Sequence, residues 1–242
     1  SSFFTETNNN PGSLVNTVNF ENNIFTTGAG FSFQLGSIVK LSNLRLGFAY
    51  DSPTWYRIDE ETNQFIRTVR TEDGSNITLP DPRIVNIFPE YRLKTPGRIT
   101  ASMAYIIGLQ GLISIDYSRK DYGNTEFRPT SDAFFRVQNQ LIDSDLTVSN
   151  TIRLGGEYRI KQASLRAGYR FEESPYNDTA IMGDLNAASF GFGYTFGNVK
   201  LDLAYEYVTR DLGEQLFSTG LTDSVQIDET NNNVFLTLSF SL

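Results

Sequence analysis

The residues of this chain that could do chemistry are charged side chains at alternate positions. Three segments of the second half carry them between apolar residues: Arg153, Glu157 and Arg159; Arg166, Arg170 and Glu172; and Lys200, Asp202 and Glu206. Guanidinium and carboxylate groups arranged in this way can pair with each other or bind an anion. The candidate substrate-binding residues are therefore Arg153, Glu157, Arg166 and Arg170, and a structural ladder of ion pairs is the alternative role for them.

Composition argues against most enzymatic functions. The chain contains no histidine and no cysteine. This removes the usual general base, the common nucleophile pairs, thiolate chemistry and the commonest metal ligands. We expect no enzymatic activity, no catalytic residue, no metal site and no cofactor. The net charge of −8 argues against a nucleic-acid partner.

The elements that must position these charges are strands. Apolar residues alternate with a period of two along most of the chain, which is typical of strands with two different faces. The pattern predicts strands at 24–41, 44–58, 89–107, 111–127, 147–160, 163–174, 187–197, 198–212 and 231–242. All are longer than the common strand length of about 5–6 residues, and long enough for a tilted membrane span of about 9–11.

The two faces of these strands differ in a way that predicts a membrane barrel. One face is apolar, and the other carries Gly, Ser, Thr and charges of both signs. A barrel in a membrane turns its apolar face to lipid and its polar face to a wet lumen. No segment approaches the roughly 18 consecutive apolar residues of a membrane helix. A soluble β-sandwich is the alternative, which the strand lengths disfavour.

Connections between the predicted strands alternate between short and long. Short links lie at 42–43, 108–110, 161–162 and 197–198, and long polar segments lie at 59–88, 128–146, 175–186 and 213–230. This alternation predicts an antiparallel up-and-down barrel with short periplasmic turns and long extracellular loops. In the loop at 128–146, the segment 130–143 predicts a short helix capped by Thr130 or Ser131, with Phe134, Val137 and Leu141 on one side.

The short turns also predict strand register. A turn centred on 161–162 pairs Leu154 with Tyr169, Tyr158 with Leu165, Glu157 with Arg166, and Arg153 with Arg170. Turns at 42–43 and 108–110 pair Leu35 with Tyr50, Val39 with Leu46, Leu41 with Leu44, Tyr105 with Ile113, and Met103 with Ile115. A slip of one residue would move each apolar set to the other face, so these matches support the register.

Two further features concern the outer end of the strands. Tyr50, Trp55 and Tyr56 cluster where a strand meets the outer rim, and we expect them to form an aromatic girdle at the membrane interface. Pro96 lies inside a long strand pattern, where the missing backbone donor predicts a strand kink.

Four segments resemble the FadL-type transporter family of outer-membrane proteins. They are LRLGFAYDSPTWY (44–56), TPGRITASMAYIIGLQGLISIDYSRKDY (95–122), IRLGGEYRIKQASLRAGYRFEESPY (152–176) and the terminal VFLTLSFSL. The resemblance implies an all-β transmembrane barrel of 14 strands in the outer membrane of a Gram-negative bacterium, plugged by an N-terminal hatch. It further implies passage of hydrophobic molecules such as long-chain fatty acids. A kinked strand can open a lateral exit to lipid in this family, which we assign to Pro96.

On this interpretation the chain is a single barrel domain holding about the last nine strands. Residues 1–23 are expected to form an extracellular loop and 24–242 the strands, turns and remaining loops. Nine strands that start outside cannot close a conventional barrel, whose strand number is even. The start SSFFTETNNN also has no Met or signal pattern. We therefore expect the hatch and early strands to be missing.

The expected partners follow from this placement. They are membrane lipid, lipopolysaccharide and a hydrophobic small-molecule ligand. The leading functional hypothesis is passive transport of hydrophobic small molecules, since no energy-coupling or nucleotide motif is present in the sequence. The alternative is a barrel that acts as a scaffold or partner-binding subunit, with another outer-membrane protein as its partner.

Overall fold

Alternating sequence forms long antiparallel strands in this protein. The computed structural model describes residues 1–10, 13–72, 75–80, 83–215 and 224–240. The strands are β1 (Ser2–Thr7), β2 (Val15–Phe31), β3 (Gln34–Leu41), β4 (Leu44–Asp51), β5 (Thr54–Glu72), β6 (Ser75–Pro80), β7 (Ile84–Ile87), β8 (Tyr91–Thr95), β9 (Arg98–Ile107), β10 (Gly111–Asp121), β11 (Glu126–Arg128), β12 (Val148–Ile160), β13 (Ala163–Glu172), β14 (Leu185–Phe196), β15 (Val199–Glu214) and β16 (Val225–Phe240). A 3-10 turn (Tyr122–Asn124) and one helix, α1 (Ala133–Asp145), complete the elements of these ranges.

The chain divides into two compact units. Unit 1 comprises residues 1–31 and 55–93, and unit 2 comprises 32–54 and 94–242. In unit 1, β1, β2 and β5 pair in that order, and β6 and β7 also pair with β5. All of these pairs are antiparallel. The assignment of the whole chain to one barrel domain stays a prediction.

The strands of unit 1 correct two expectations about loops. Residues 1–23 hold β1 and the first half of β2, where the sequence predicted a loop. In addition, β5 extends through much of the segment expected to be the loop 59–88. These segments are mostly polar, and their few apolar residues fall on both faces, as Phe3 and Phe4 do, so they lack the regular apolar alternation that predicts a strand. Backbone ladders and polar cross-strand contacts stabilise them instead, such as Thr5 Oγ1 to Asn19 Oδ1 at 2.9 Å.

Unit 2 is built on a single antiparallel sheet. Its strand order is β16-β15-β14-β13-β12-β10-β9-β4-β3, so strands of this sheet that follow one another in sequence lie side by side. Among the described residues, β16 and β3 are the two edges, and the sheet is not closed on itself. This is the up-and-down arrangement that the alternating short and long connections predicted.

The predicted registers are confirmed. Leu154 lies opposite Tyr169 and Glu157 opposite Arg166. The turns at 42–43 and 108–110 give the expected pairs as well. Each short turn begins at a residue with positive φ: Ser42 (53°), Gly108 (57°), Lys161 (54°) and Gly197 (59°).

Four predicted strands are interrupted. The segments 24–41, 44–58, 89–107 and 111–127 break at 32–33, 52–53, 96–97 and 122–125. Pro53 and Pro96 lack a backbone donor, which ends the ladder there. At the first break the Ser52 hydroxyl replaces a ladder acceptor and accepts a hydrogen bond from the Phe33 N–H at 2.9 Å. Apolar alternation continues across the first break through Phe31, Phe33 and Leu35, so it could not reveal that break.

The predicted helix is present, with a different cap. It runs over Ala133–Asp145, and its N-cap is Asp132, whose carboxylate accepts from the N–H groups of Phe134 and Phe135 at 2.8 and 3.3 Å. An Asp carboxylate accepts such bonds as well as a Ser or Thr hydroxyl does, so residue type could not select among three successive candidates. The apolar side formed by Phe134, Val137 and Leu141 is exposed.

The apolar face of the unit 2 sheet is not covered. Phe190 is 63% exposed and Leu236 70% exposed, and the buried hydrophobic residues among those described are Ala187 and Val208. A water-soluble sandwich would bury such a face, because each large apolar side chain gains about 1.5–3 kcal/mol on burial. An uncovered apolar face of this extent is what lipid contact requires.

No helix in the described ranges is long and apolar enough to cross a membrane.

Candidate functional site on the polar face

The polar face of the sheet carries a network of ion pairs centred on Arg166. Its Nε donates to Glu157 Oε2 of β12 at 2.7 Å, and its Nη1 donates to Asp202 Oδ1 of β15 at 2.6 Å. Arg159 also donates to Glu157, and Lys200 lies 3.0 Å from Asp202. Two of the four candidate residues, Arg166 and Glu157, are therefore joined to each other and to further charges.

Small residues of β14 allow this network to form. Arg166 lies on β13 and Asp202 on β15, so the pair must pass over β14 between them. The residues of β14 beneath it are Gly191, opposite Arg166, and Gly193, opposite Asp202. A Cβ atom at Gly193 would overlap the Asp202 carboxylate and lie 3.2 Å from Arg166 Nη1. In this arrangement the ion pair occupies the space that glycine leaves at position 193.

Two other ion pairs cross β14 in the same way. Arg170 Nη2 lies 3.9 Å from Glu206 Oε1, and Arg210 Nη2 lies 3.3 Å from Glu172 Oε1. Each pair joins β13 to β15. Ala187 of β14, opposite Arg170, is again a small residue. These contacts link the strands of the polar face into a ladder of ion pairs. Such a ladder is the alternative role predicted from the sequence for these charges.

The other two candidates, Arg153 and Arg170, are direct neighbours. They lie opposite each other on β12 and β13, as the turn register predicted. The Arg170 Nε is buried and has no hydrogen-bond partner among the described residues. Arg153 forms no ion pair with any described residue. Two adjacent guanidinium groups with unused donors can bind an anion by donating hydrogen bonds to it. Their role in substrate binding stays a prediction.

A trough on the polar face lies beside Arg166. It has a volume of about 440 Å³. Small residues form its floor: Ser114, Gly155, Gly168, Ser189, Gly191 and Ala204. The larger side chains that line it are Glu157, Arg166, Asp202, Thr237, Leu112 and Phe235.

The predicted rim residues are placed as follows. Tyr50 lies on β4, and its ring meets that of Phe33 edge-on at 6.0 Å between centroids. In unit 1, the Trp55 ring stacks on Phe31 at 6.4 Å, and Tyr56 follows it on β5. Their role as a membrane girdle stays a prediction. The strand is broken at 96–97, and both the kink at Pro96 and a lateral exit there stay predictions.

Sequence reasoning missed Phe235 and Arg210. Phe235 is 56% exposed. It lies on the polar face of β16, since it is opposite Ala204, which shares the parity of Asp202 and Glu206. The terminal strand was judged by its apolar parity, which Phe235 breaks. Arg210 lies inside the predicted strand 198–212 and continues the alternation of Lys200, Asp202 and Glu206, so the sequence contained the signal for it. Among the described residues, no group of three or more His, Cys, Asp or Glu could hold a metal.

A long antiparallel sheet with one uncovered apolar face and one cross-linked polar face defines a class, the outer-membrane β-barrel proteins. Residues 5–242 match the profile of the family described as outer membrane protein transport protein (OMPP1/FadL/TodX). The chain belongs to this family, which confirms the resemblance seen in the sequence. It is a protein of the outer membrane of a Gram-negative bacterium.

Solved structures confirm the fold. The toluene transporter TodX of P. putida is similar with a TM-score of 0.54 and 16% identity, over 93% of this chain and 54% of that one. The CymD monoaromatic hydrocarbon channel is similar with a TM-score of 0.50 and 16% identity, over 96% of this chain and 58% of that one. The chain thus spans a little over half the length of these two proteins. A comparison with curated protein sequences finds no match.

Proposed function

We propose that this chain is part of a passive channel for hydrophobic small molecules across the outer membrane. The observation that carries the proposal is membership, over residues 5–242, of a family of outer-membrane transport proteins. Two features support it. The sheet has a lipid-type apolar face and a polar face that suits a wet interior, and the sequence contains no nucleotide or energy-coupling motif. We propose no enzymatic activity for it.

Uncharged hydrocarbons are the substrate class we favour. The two similar structures above are described as a monoaromatic hydrocarbon channel and a toluene transporter. Long-chain fatty acids are the second class, and one observation supports them. Arg153 and Arg170 are adjacent on the polar face, and Arg170 has a buried donor without a partner among the described residues. A carboxylate head group would supply that partner.

Flux into vesicles tests the function and separates the two classes. The full protein is reconstituted into vesicles with a lipopolysaccharide outer leaflet, which hydrophobic molecules cross slowly, and uptake of labelled toluene and labelled palmitate is measured. We expect toluene to enter faster than into empty vesicles. Equal rates with and without protein would refute the channel.

A double substitution tests the fatty-acid class. If the two arginines bind a carboxylate, Arg153→Ala with Arg170→Ala will slow palmitate uptake several-fold and leave toluene uptake unchanged. Arg119→Ala is the matched control, because Arg119 lies on β10 with the parity of the apolar face. Unchanged palmitate uptake in the double variant would limit the site to a structural role.

A further inference from the structure

We propose that the trough beside Arg166 is a binding subsite for an uncharged aromatic ring, held between the guanidinium of Arg166 and the ring of Phe235. This inference deepens the proposed function, on which it rests, by naming the residues that would contact the ligand. It starts from the order of residues across the sheet. One row runs from β10 to β16 through Leu112, Glu157, Arg166, Gly191, Ala204 and Phe235, each opposite the next.

The middle of this row has almost no side chain. Gly191 and Ala204 form the floor between the two larger residues, and the next row adds Gly168 and Ser189. Arg166 reaches over β14 to Asp202, so its guanidinium lies about one strand closer to Phe235 than its Cα atom does. The trough of about 440 Å³ is larger than the ~150 Å³ cavity that suffices for a benzene molecule.

The charge of Arg166 is already matched, which selects a neutral ligand. Carboxylates of Glu157 and Asp202 occupy its Nε and Nη1 edges at 2.7 and 2.6 Å. These hydrogen bonds lie in the guanidinium plane and use its Nε and Nη1 donors, and the two carboxylates oppose the approach of an anion. The flat faces of the group make no hydrogen bonds and stack well on aromatic rings. An anionic ring would also meet the two carboxylates in the trough lining.

Phe235 supplies the second contact of the proposed subsite, opposite the guanidinium of Arg166. In β12 to β16, it is the one aromatic residue on the polar face among the described residues, and it is 56% exposed. Its β16 neighbours on that face are polar, including Asn233 and Thr237. An exposed aromatic ring at a polar position gains free energy when another ring packs against it. Leu112, 38% exposed, closes the other end of the row.

Binding of toluene to the detergent-solubilised full protein tests the subsite. Equilibrium dialysis compares toluene with cyclohexane, which has a similar size and no π-system, and with benzoate, which carries a charge. We expect Phe235→Leu to weaken toluene binding about three- to ten-fold, the range for losing an aromatic contact, and to change cyclohexane binding less. Benzoate is expected to bind more weakly than toluene.

The matched control is Phe240→Leu. Phe240 lies on the same strand, with the opposite parity, and is 67% exposed on the apolar face. We expect it to leave toluene binding unchanged. Ala204→Ile, which fills the floor of the trough, provides a second variant and is expected to abolish the Phe235-dependent binding.

The outcomes separate the subsite from the channel. Equal toluene affinity in the wild type, Phe235→Leu and Ala204→Ile overturns the subsite, as does an equal loss in Phe240→Leu. If toluene still enters vesicles in that case, the channel stands without this subsite. If toluene binds in a Phe235-dependent way but does not enter vesicles, the subsite stands and the transport function fails.

Discussion

At the scale of single residues, Arg166 and the two glycines beneath it organise the polar face. Arg166 joins strands that are not adjacent, and this is feasible because β14 presents no side chain at Gly191 and Gly193. A half-exposed ion pair is worth little by itself, whereas charges shared in a network are harder to remove one at a time. Residue-level predictions therefore concern the network and its floor.

The first prediction concerns Gly193. We expect Gly193→Ala to destabilise the protein by about 1–2 kcal/mol, because the new Cβ atom displaces Asp202 from Arg166. Urea unfolding in lipid vesicles measures this. Gly156→Ala is the control, since the nearest atom to its Cβ would be Leu112 O at 3.7 Å. It should be neutral or slightly stabilising. Equal effects of the two substitutions would contradict the role of Gly193.

The second prediction concerns the two carboxylates that bind Arg166. Each of Glu157→Gln and Asp202→Asn should cost about 1 kcal/mol, because the other carboxylate still balances the guanidinium. The double variant should cost more than the sum, since it leaves Arg166 partly buried without a carboxylate. A double-mutant cycle on unfolding free energies checks this. Strict additivity would show that the two contacts are independent.

At the scale of elements, the hairpins determine which residues face each other. Four short turns set the register of the sheet, and each begins with a positive φ. A one-residue slip at any of them would place charges on the lipid face, so turn geometry and alternation must agree. Turn geometry and alternation agree here, since the apolar pairs predicted for the turns at 42–43, 108–110 and 161–162 all lie on the apolar face.

The third prediction concerns the turn at Gly197. Its φ is +59°, and a Cβ atom there would have nothing within 4 Å, so only backbone conformation opposes a side chain. We expect Gly197→Ala to cost about 1 kcal/mol of unfolding free energy. Gly197→Asn should cost clearly less, because Asn adopts positive φ more readily. Equal unfolding free energies for the two variants would show that the turn is not strained.

At the scale of the whole molecule, the governing property is which face meets lipid. The apolar face of the unit 2 sheet is exposed along its length, and the polar face is cross-linked by ion pairs. The protein should therefore require detergent or lipid to remain folded as a monomer.

The fourth prediction compares one arginine on each face. Leu236 is 70% exposed on the apolar face, and its neighbour Thr237 lies on the polar face opposite Asp202. Leu236→Arg should cost up to about 2–4 kcal/mol in a bilayer, since it places a charge in lipid. Thr237→Arg should cost little, because it approaches a carboxylate. Equal costs, or a folded monomer in plain buffer, would reject the assignment of the faces.

The sequence by itself determined most of the strands of the unit 2 sheet, their faces, and the registers at the turns 42–43, 108–110 and 161–162. Side chains alternate with a period of two, so Glu157 opposite Arg166 and Arg153 opposite Arg170 follow from the turn between them. It also contained the family resemblance. These properties depend on neighbours along one chain or across one turn, which is the range that a pattern can describe.

Only the tertiary structure decided which charges pair across a strand. Arg166 meets Asp202 because two strands on either side of β14 approach over glycine, a contact that no hairpin register contains. The sequence also did not predict the strand break at 32–33, because apolar alternation continues across it. It did not predict the strands within 1–23 and 59–72, because those segments lack a regular apolar alternation. Contacts between non-adjacent strands depend on side-chain reach and on the space left by small residues, and those are properties of the folded sheet.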